Sequence, residues 1–233
     1  MILFIKILLA HLLGDFLLQP NSWVAHKQLH KGKSVYLYVH TILHFLLLFI
    51  LTDSNFIYYA IAIAILHGLI DYLKISFQKV GNARLWFMAD QALHLVVLIV
   101  AALLYQKIDL SLYSIPDELW ILGTAIIVLT LPASLFIKNL ISIWIPEDKN
   151  TKEDLQNAGK YIGILERLFV FGFIFGGYFT AIGFLLAAKS IFRFGDLTQV
   201  RDRKMTEYVL IGTFISFGLA ILVGLAARYL ITW

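Results

Sequence analysis

Residues 55–75, NFIYYAIAIAILHGLIDYLKI, decide the fold class of this chain. The stretch is predominantly apolar. Its length is close to that of a helix that crosses the hydrocarbon core of a bilayer, which needs about 20 residues. A backbone surrounded by lipid must satisfy its own hydrogen bonds, and a helix does so within one segment. The stretch therefore predicts a membrane-spanning helix, although it carries His67, Asp71 and Lys74.

The rest of the chain has the same character. Hydrophobic residues make up 60% of the sequence, charged residues make up 15%, and the mean hydropathy is +0.82. Soluble domains carry about a quarter charged residues, so a soluble fold of this size could not bury so much apolar surface. We predict an all-α, polytopic integral membrane helical bundle. About seven hydrophobic segments lie near residues 2–19, 34–52, 55–75, 85–105, 118–138, 164–188 and 207–231.

The chain divides into two parts of different composition. All seven histidines lie in the first 94 residues, and a short polar connection containing Pro116 follows soon after them. We predict a membrane domain of four helices that carries the His and Asp residues over 1–105, and a C-terminal membrane domain of about three helices over 106–233. In the second domain an unpaired Glu166 would be costly within a membrane helix, so we expect a neighbouring cation beside it.

Every histidine lies four residues from another histidine or from an aspartate. On a helix this step puts both side chains on one face, one turn apart. Four pairs lie in apolar segments: His11 with Asp15, His40 with His44, His67 with Asp71, and Asp90 with His94.

The fifth pair, His26 with His30, lies in a polar stretch that also carries Trp23, Lys27 and Lys31. This composition is typical of a short amphipathic helix at the headgroup layer of a membrane. We therefore interpret His26 and His30 as part of a solvated face, outside the site formed by the other pairs.

The four intramembrane pairs share one depth. A rise of about 1.5 Å per residue, counted from the segment ends that face the loops at 20–33 and 74–84, puts all four pairs roughly 5 to 15 Å into the bilayer. Both loops are basic, so the positive-inside rule predicts that they lie in the cytoplasm. Eight candidate ligands are thus expected in one layer near the cytoplasmic side.

An ionised aspartate at this depth costs at least a few kcal/mol, and a shared cation would remove that cost. Four-helix bundles hold dinuclear metal sites with inward-facing acids and histidines. The predicted metal ligands are His11, Asp15, His40, His44, His67, Asp71, Asp90 and His94. The alternative is that the pairs only hydrogen-bond between helices and determine their register.

Imidazole and carboxylate ligands favour a divalent metal, with Zn first and Fe or Mn as alternatives. The chain has no cysteine, so thiolate ligands are excluded. Eight ligands exceed one tetrahedral site, so either two ions bind or some of the eight orient the others.

Nearby polar residues complete the predicted site. Gln19, Lys74 and Gln91 are candidates for orienting a ligand or for holding an anionic headgroup. Lys74 could instead mark the membrane edge by extending its ammonium group towards water. If the site is catalytic, Asp90 and His94 are the candidates for the general base.

The ordered motifs resemble a known family. They are His11-Leu-Leu-Gly-Asp15-Phe-Leu-Leu-Gln19-Pro, His40 with His44, His67-Gly-Leu-Ile-Asp71-Tyr-Leu-Lys74 and Asp90-Gln91-Ala-Leu-His94. Over about the first 105 residues, the chain is similar to a bacterial membrane-protein family named domain of unknown function 3307. The resemblance implies a multi-pass protein of the bacterial inner (cytoplasmic) membrane and implies no particular reaction.

Three functions stay open at this point. The first is a metal-dependent membrane hydrolase of a lipid-like substrate, in which the metal activates water. The second is a metal-ion or proton-coupled transporter, and the third is a membrane scaffold or sensor. Residues 45–51 and 96–104 are wholly apolar, which favours a one-sided site and hence the enzyme.

The expected partners follow from the same features. They are the lipid bilayer and a lipid-like or ionic substrate. The net charge of +4 suits anionic lipid headgroups, and we expect no nucleic-acid partner.

Overall fold

The structure is a computed structural model that describes residues 2–105, 116–144, 153–194 and 200–232. Within these ranges every element of regular secondary structure is a helix, which confirms the all-α prediction. Residue contacts divide the chain into two compact units, Met1–Thr124 and Ala125–Trp233. The domain boundary near residue 105 stays a prediction.

Four helical stretches of the described ranges are long and apolar enough to cross a membrane: Ser54–Phe77, Ala83–Leu104, Asp117–Ile141 and Glu207–Thr232. A fifth candidate is a bent pair, Ile2–Leu17 with Asn21–Lys33, whose two parts meet at 82°. Val35–Leu51 and Phe179–Ile191 are apolar but shorter. The protein is a helical membrane protein, and the count of seven hydrophobic segments is not confirmed.

Four helices of the first unit form a ring, and the unit contains two further helical segments. Its helices are α1 (Ile2–Leu12), α2 (Asn21–His30), α3 (Val35–Leu51), α4 (Ile57–Phe77), α5 (Ala83–Leu104) and the beginning of α6 (Asp117–Leu129). α1 contacts α3, α3 contacts α4, α4 contacts α5, and α5 contacts α1, which closes the ring.

An apolar core fills one end of this ring, where α3 ends and α4 begins. Its buried members are Ile7, Ala10, Leu48, Phe56, Ala60, Ile63, Leu98 and Ala101. Lipid tails are as apolar as these side chains, so close van der Waals packing holds the helices together here. The opposite end of the ring contains the His and Asp residues.

α2 packs against the ring, and its place at the headgroup layer stays a prediction. A short π-helical turn, Leu13–Leu17, follows α1. The chain then bends by 82° into α2, which contacts α3. A 3-10 turn, Lys31–Lys33, follows α2 and contacts α4. Lys27 is only 4% exposed, so its side chain lies inside the unit and not on its surface. The reason is an ion pair, described below with the site.

The second unit contains the end of α6, α7 (Leu131–Ile141), α8 (Glu153–Gly176), α9 (Phe179–Phe194) and α10 (Val200–Thr232). Buried Arg167 donates hydrogen bonds to the carbonyl oxygens of Leu129 and Thr130, where α6 and α7 meet. It therefore binds carbonyl groups at the break between the helices, where the Thr130 carbonyl also accepts from the N–H and the hydroxyl of Ser134. Glu166 pairs with Lys189 at 2.5 Å, which confirms the expected neighbouring cation.

The segment predicted over 164–188 consists of two helices. Gly177 has a φ of 76°, a left-handed conformation that glycine adopts without strain. The Tyr178 N–H donates to the Phe173 carbonyl at 2.8 Å, and the Gly177 N–H donates to Ile174 at 3.3 Å. These two bonds form a Schellman motif, the usual end of a helix at glycine. α8 therefore ends here and α9 begins.

The ring predicts which turns share a side of the membrane. Because the chain has no cysteine, single cysteines can be introduced at the exposed positions Lys33, Ser54 and Lys79. We expect Lys33→Cys and Lys79→Cys to react with an impermeant maleimide from the same side, and Ser54→Cys from the opposite side. The positive-inside rule predicts that only Ser54→Cys reacts in intact cells. Labelling of all three from one side would contradict the crossing of α3 and α4.

Candidate metal centre

The π-helical turn Leu13–Leu17 carries Asp15 into the ring. Such turns are rare and occur frequently at functional sites. The Asp15 Oδ1 atom lies 3.2, 3.0 and 3.3 Å from the Nε2 atoms of His40, His44 and His67. A carboxylate oxygen offers about two lone-pair sites, so more imidazole nitrogens converge on this atom than it can accept from.

Gly14 allows the His44 ring to approach the π-helical turn. A Cβ atom at position 14 would lie 2.5 Å from both Cε1 and Nε2 of His44, which is closer than carbon atoms can pack. The His44 ring is itself buried among the side chains of the ring. Glycine is therefore required here for His44 to reach Asp15.

Asp15 finds its partners on other helices. The His11 Nε2 atom, one turn away along the chain, lies 3.9 Å from Asp15 Oδ2, which is too far for a hydrogen bond. It lies 3.4 Å from Oε1 of Gln91 on α5 instead. The four-residue spacing thus predicts which side chains share a layer, whereas their contacts run between helices.

His40 and His67 face each other with their Nε2 atoms 3.1 Å apart. Two imidazole nitrogens at this distance need a proton or a cation between them, because both carry a lone pair when unprotonated. The same His40 atom lies 3.8 Å from Asp71 Oδ2. His40 therefore connects the surroundings of Asp15 with those of Asp71.

Two lysines pair with the other two carboxylates. Lys27 on α2 donates to Asp71 Oδ2 at 2.5 Å, and Lys74 on α4 donates to Asp90 Oδ2 at 2.7 Å. Each ammonium group offsets a negative charge that an apolar environment would penalise. Lys74 thus has a partner inside the site.

Several buried ligand atoms have no hydrogen-bond partner among the described residues. They are Oδ1 of Asp90, both ring nitrogens of His94, and Nδ1 of His40. Asp90 is 1% exposed and His94 is 2% exposed, so water does not reach them freely. A buried polar atom left in this state costs about 1–3 kcal/mol. The expected partner of Asp90 and His94 is therefore a metal ion or a buried water molecule.

Three groups of side chains could hold a metal ion, since their ligand atoms lie within 4.8 Å of one another. The first ligand group is His11, Asp15, His44 and His67; the middle ligand group is His40, His67 and Asp71; the third ligand group is Asp71, Asp90 and His94. The first and third ligand groups share no residue, so two ions could be held at once. All eight residues predicted as ligands are therefore brought together.

The supporting residues differ in their contacts. The Gln91 Nε2 atom lies 3.2 Å from Asp15 Oδ2 and 3.1 Å from Asp90 Oδ2, so it links the first and third ligand groups. The Gln19 Nε2 atom is buried, and no described residue accepts its hydrogen bond. Gln91 and Lys74 thus contact candidate ligands as the sequence suggested.

Lys27 is the residue of the site that the sequence reasoning missed. α2 is held against α3 by the stacked rings of Trp23 and Tyr36, 5.3 Å apart, and by a 2.8 Å hydrogen bond between His26 and Ser34. A count of charges could have pointed to Lys27. The predicted layer contains three aspartates, whereas the apolar segments supply only one lysine, Lys74, at the same depth. His26 and His30 belong to none of the three ligand groups.

A cavity of about 10 Å³ lies beside the first ligand group. The imidazoles of His11, His44, His67 and His94 line one side, and Ile7, Leu48, Ile63, Val97 and Leu98 line the other. Such a volume holds about one water-sized particle. The apolar side separates the cluster from the opposite end of the ring.

The matched family model gives the chain its relatives. Residues 3–123 match the model described as "Protein of unknown function (DUF3307)". The chain belongs to this family. The resemblance inferred from the motifs is thereby confirmed, and the DUF3307 region covers the four-helix ring together with the beginning of α6. No curated protein matches the chain, and no solved structure matches it.

Replacement of Gly14 by alanine should push the His44 ring out of place. We expect Gly14→Ala to lower the free energy of unfolding by about 1–3 kcal/mol, the usual cost of overpacking. In a His44→Ala background the same change should cost much less, because the ring that it strikes is gone. The measurement is unfolding in mixed micelles. Gly123→Ala is the matched control, since a Cβ atom there meets nothing; equal costs in both backgrounds would contradict the proposed contact.

Removal of the Lys27 charge should leave Asp71 as an uncompensated buried anion. In the presence of a chelator, Lys27→Met is expected to destabilise the protein by about 3–5 kcal/mol. Adding Asp71→Asn should restore most of that loss, because the unpaired charge disappears. Lys33→Met, at an exposed position on the same side of the ring, should change stability little. An ion pair without energetic importance would show itself as equal stability of Lys27→Met and Lys33→Met.

Proposed function

We propose that this protein binds divalent metal ions in its His/Asp cluster and uses them to hydrolyse a lipid-like substrate. The metal proposal rests on the convergence of three Nε2 atoms at 3.0–3.3 Å from one oxygen of Asp15. Hydrogen bonds can use only part of these contacts, since the oxygen has about two lone-pair sites. A cation in the first ligand group, which contains Asp15, His44 and His67, would accept a lone pair from each of these three residues.

The spacing of these atoms suits a tetrahedral metal. Zinc binds imidazole nitrogen and carboxylate oxygen at about 2.0–2.1 Å, which puts tetrahedral ligand atoms about 3.3 Å apart. Asp15 Oδ1 lies 3.0 Å from His44 and 3.3 Å from His67. Zinc is our first choice, with iron or manganese as alternatives for the same imidazole and carboxylate donors.

The two independent ligand groups suggest different roles. The first ligand group offers four ligands, which close a tetrahedral site, whereas the third offers three and leaves a position for water. An ion in the third ligand group would lower the pKa of bound water to about 7. Asp90 and His94 are the general-base candidates, and whichever of them does not ligate would take the proton from this water.

A one-sided site supports hydrolysis over transport. A transporter of metal ions or protons needs polar groups that continue towards the other side of the membrane. In the first unit, the apolar core around Leu48, Phe56 and Leu98 fills that end of the ring. A scaffold that binds no ligand would need no ligand atoms without partners, and Asp90 and His94 have such atoms.

The proposed location is the bacterial inner membrane, with the site near its cytoplasmic face. The support is the basic character of the turns at that end of the ring, which carry Lys31, Lys33 and Lys79. The bilayer itself is then the nearest source of a lipid-like substrate.

Metal content tests this proposal directly. Purified wild-type protein is expected to retain two divalent ions per chain, one for each independent ligand group. His44→Ala should lose the ion of the first ligand group and His94→Ala that of the third, and the double variant should lose both. The measurement is elemental analysis by mass spectrometry after dialysis, with His30→Ala as the control outside the ligand groups.

Three results would overturn the proposal. Wild-type protein without stoichiometric metal would remove the metal site, and so would variants that keep all of the metal. Uptake of metal or protons by liposomes, at rates that Asp71→Asn abolishes, would instead assign the same residues to a transporter.

A further inference from the structure

A groove of about 210 Å³ lies between α4 and α5, next to the third ligand group. Its walls are apolar and are formed by Ile70, Leu73, Phe77, Trp86 and Leu93. Leu73, Phe77 and Leu93 are 38%, 60% and 47% exposed, so this face of the ring is open to hydrocarbon. The groove could therefore receive a chain from the surrounding bilayer without crossing a polar region.

The groove also reaches two charged residues of the site. Lys74 and Asp90 line it together with the apolar side chains. The Lys74 ammonium group donates to Asp90 at 2.7 Å, and a lysine has three N–H groups. Its side chain is 23% exposed, in contrast to 1% for Asp90. Lys74 can thus donate to a ligand in the groove without releasing Asp90.

The charges of the site call for an anion. Asp15, Asp71 and Asp90 with Lys27 and Lys74 leave one net negative charge when the histidines are neutral ligands. One divalent ion reverses this balance to one positive charge, and two ions give three positive charges. An apolar environment penalises such an excess. With the two proposed ions bound, a phosphate monoester, with a charge of about −1.5 to −2 near neutral pH, offsets the positive excess better than a carboxylate does.

We propose that the substrate is a lipid phosphate whose phosphoryl group binds at Lys74 and the third ligand group, with its hydrocarbon chain in the groove between α4 and α5. This inference rests on the proposed metal hydrolase. It adds the chemical class of the substrate and the route by which the substrate enters.

The corresponding reaction is the hydrolysis of a phosphate monoester. The water oxygen forms a new bond to phosphorus, and the bond between phosphorus and the chain oxygen breaks. One water proton passes to the chain oxygen, which leaves as an alcohol, and the other stays on the inorganic phosphate. No oxidant or reductant is needed, which agrees with a site of imidazole, carboxylate and ammonium groups.

Photolabelling tests the inference. The protein is reconstituted in phosphatidylcholine nanodiscs with an alkyl phosphate that carries a diazirine in its chain, and labelled peptides are identified by mass spectrometry. We expect labelling of Leu73, Phe77 and Leu93. Hexadecyl phosphate should compete, whereas hexadecanol and inorganic phosphate should not, because they supply only the chain or only the headgroup. Release of inorganic phosphate from hexadecyl phosphate is measured in parallel.

Two variants locate the binding in the groove. Lys74→Met removes a charge-assisted hydrogen bond and should weaken competition by hexadecyl phosphate roughly tenfold or more. Leu93→Trp should block labelling by filling the groove. The matched control is Lys79→Met, at an exposed lysine just beyond α4, which should label like the wild type.

The outcomes separate this inference from the metal proposal, because metal content is measured on every sample. Equal competition by hexadecanol, or unchanged labelling of Lys74→Met, would mean that the groove holds any bilayer chain and would overturn the inference even if both ions are present. Phosphate-dependent labelling in a protein without metal would support a lipid-phosphate site and reject the hydrolase. Labelling outside α4 and α5 would reject the groove.

Discussion

The compensation of three carboxylates inside an apolar helical ring is the constraint on which the first unit depends. Asp15, Asp71 and Asp90 would each be costly alone at this depth. Asp71 and Asp90 each have a lysine, and Asp15 lies among imidazoles and the Gln91 amide. These partners come from α2, α3, α4 and α5, so the site is complete only when these helices are packed together.

This constraint explains the position of α2. Its sequence suits a membrane surface. The helix lies at 82° to the preceding segment Ile2–Leu17, contacts α3 and buries Lys27. An ammonium group loses hydration when it is buried, and the short contact with Asp71 offsets that loss. α2 contributes Lys27 to the polar end of the ring, while the apolar core fills the other end. The groove between α4 and α5 reaches Lys74 and Asp90 from the side of the ring.

Local patterns predicted much of this protein. Hydropathy identified the all-helical membrane fold but not the number of spans, and the spacing of four residues identified all eight side chains of the three ligand groups. Both signals depend only on near neighbours in the chain. The segment over 164–188 shows the limit of such signals. A hydropathy window averages across Gly177, whereas the helix ends there because this glycine adopts a left-handed conformation.

The sequence by itself determined that the chain is a helical membrane protein and that five of its histidines and three of its aspartates come together. Only the tertiary structure decided which nitrogen meets which oxygen. Lys27 and Asp71 are 44 residues apart in the chain. Neither the 82° bend before α2 nor the π-helical turn at Asp15 follows from a periodic pattern in the sequence. Their positions depend on charges and rings brought together from different helices, and such contacts exist only once the ring is closed.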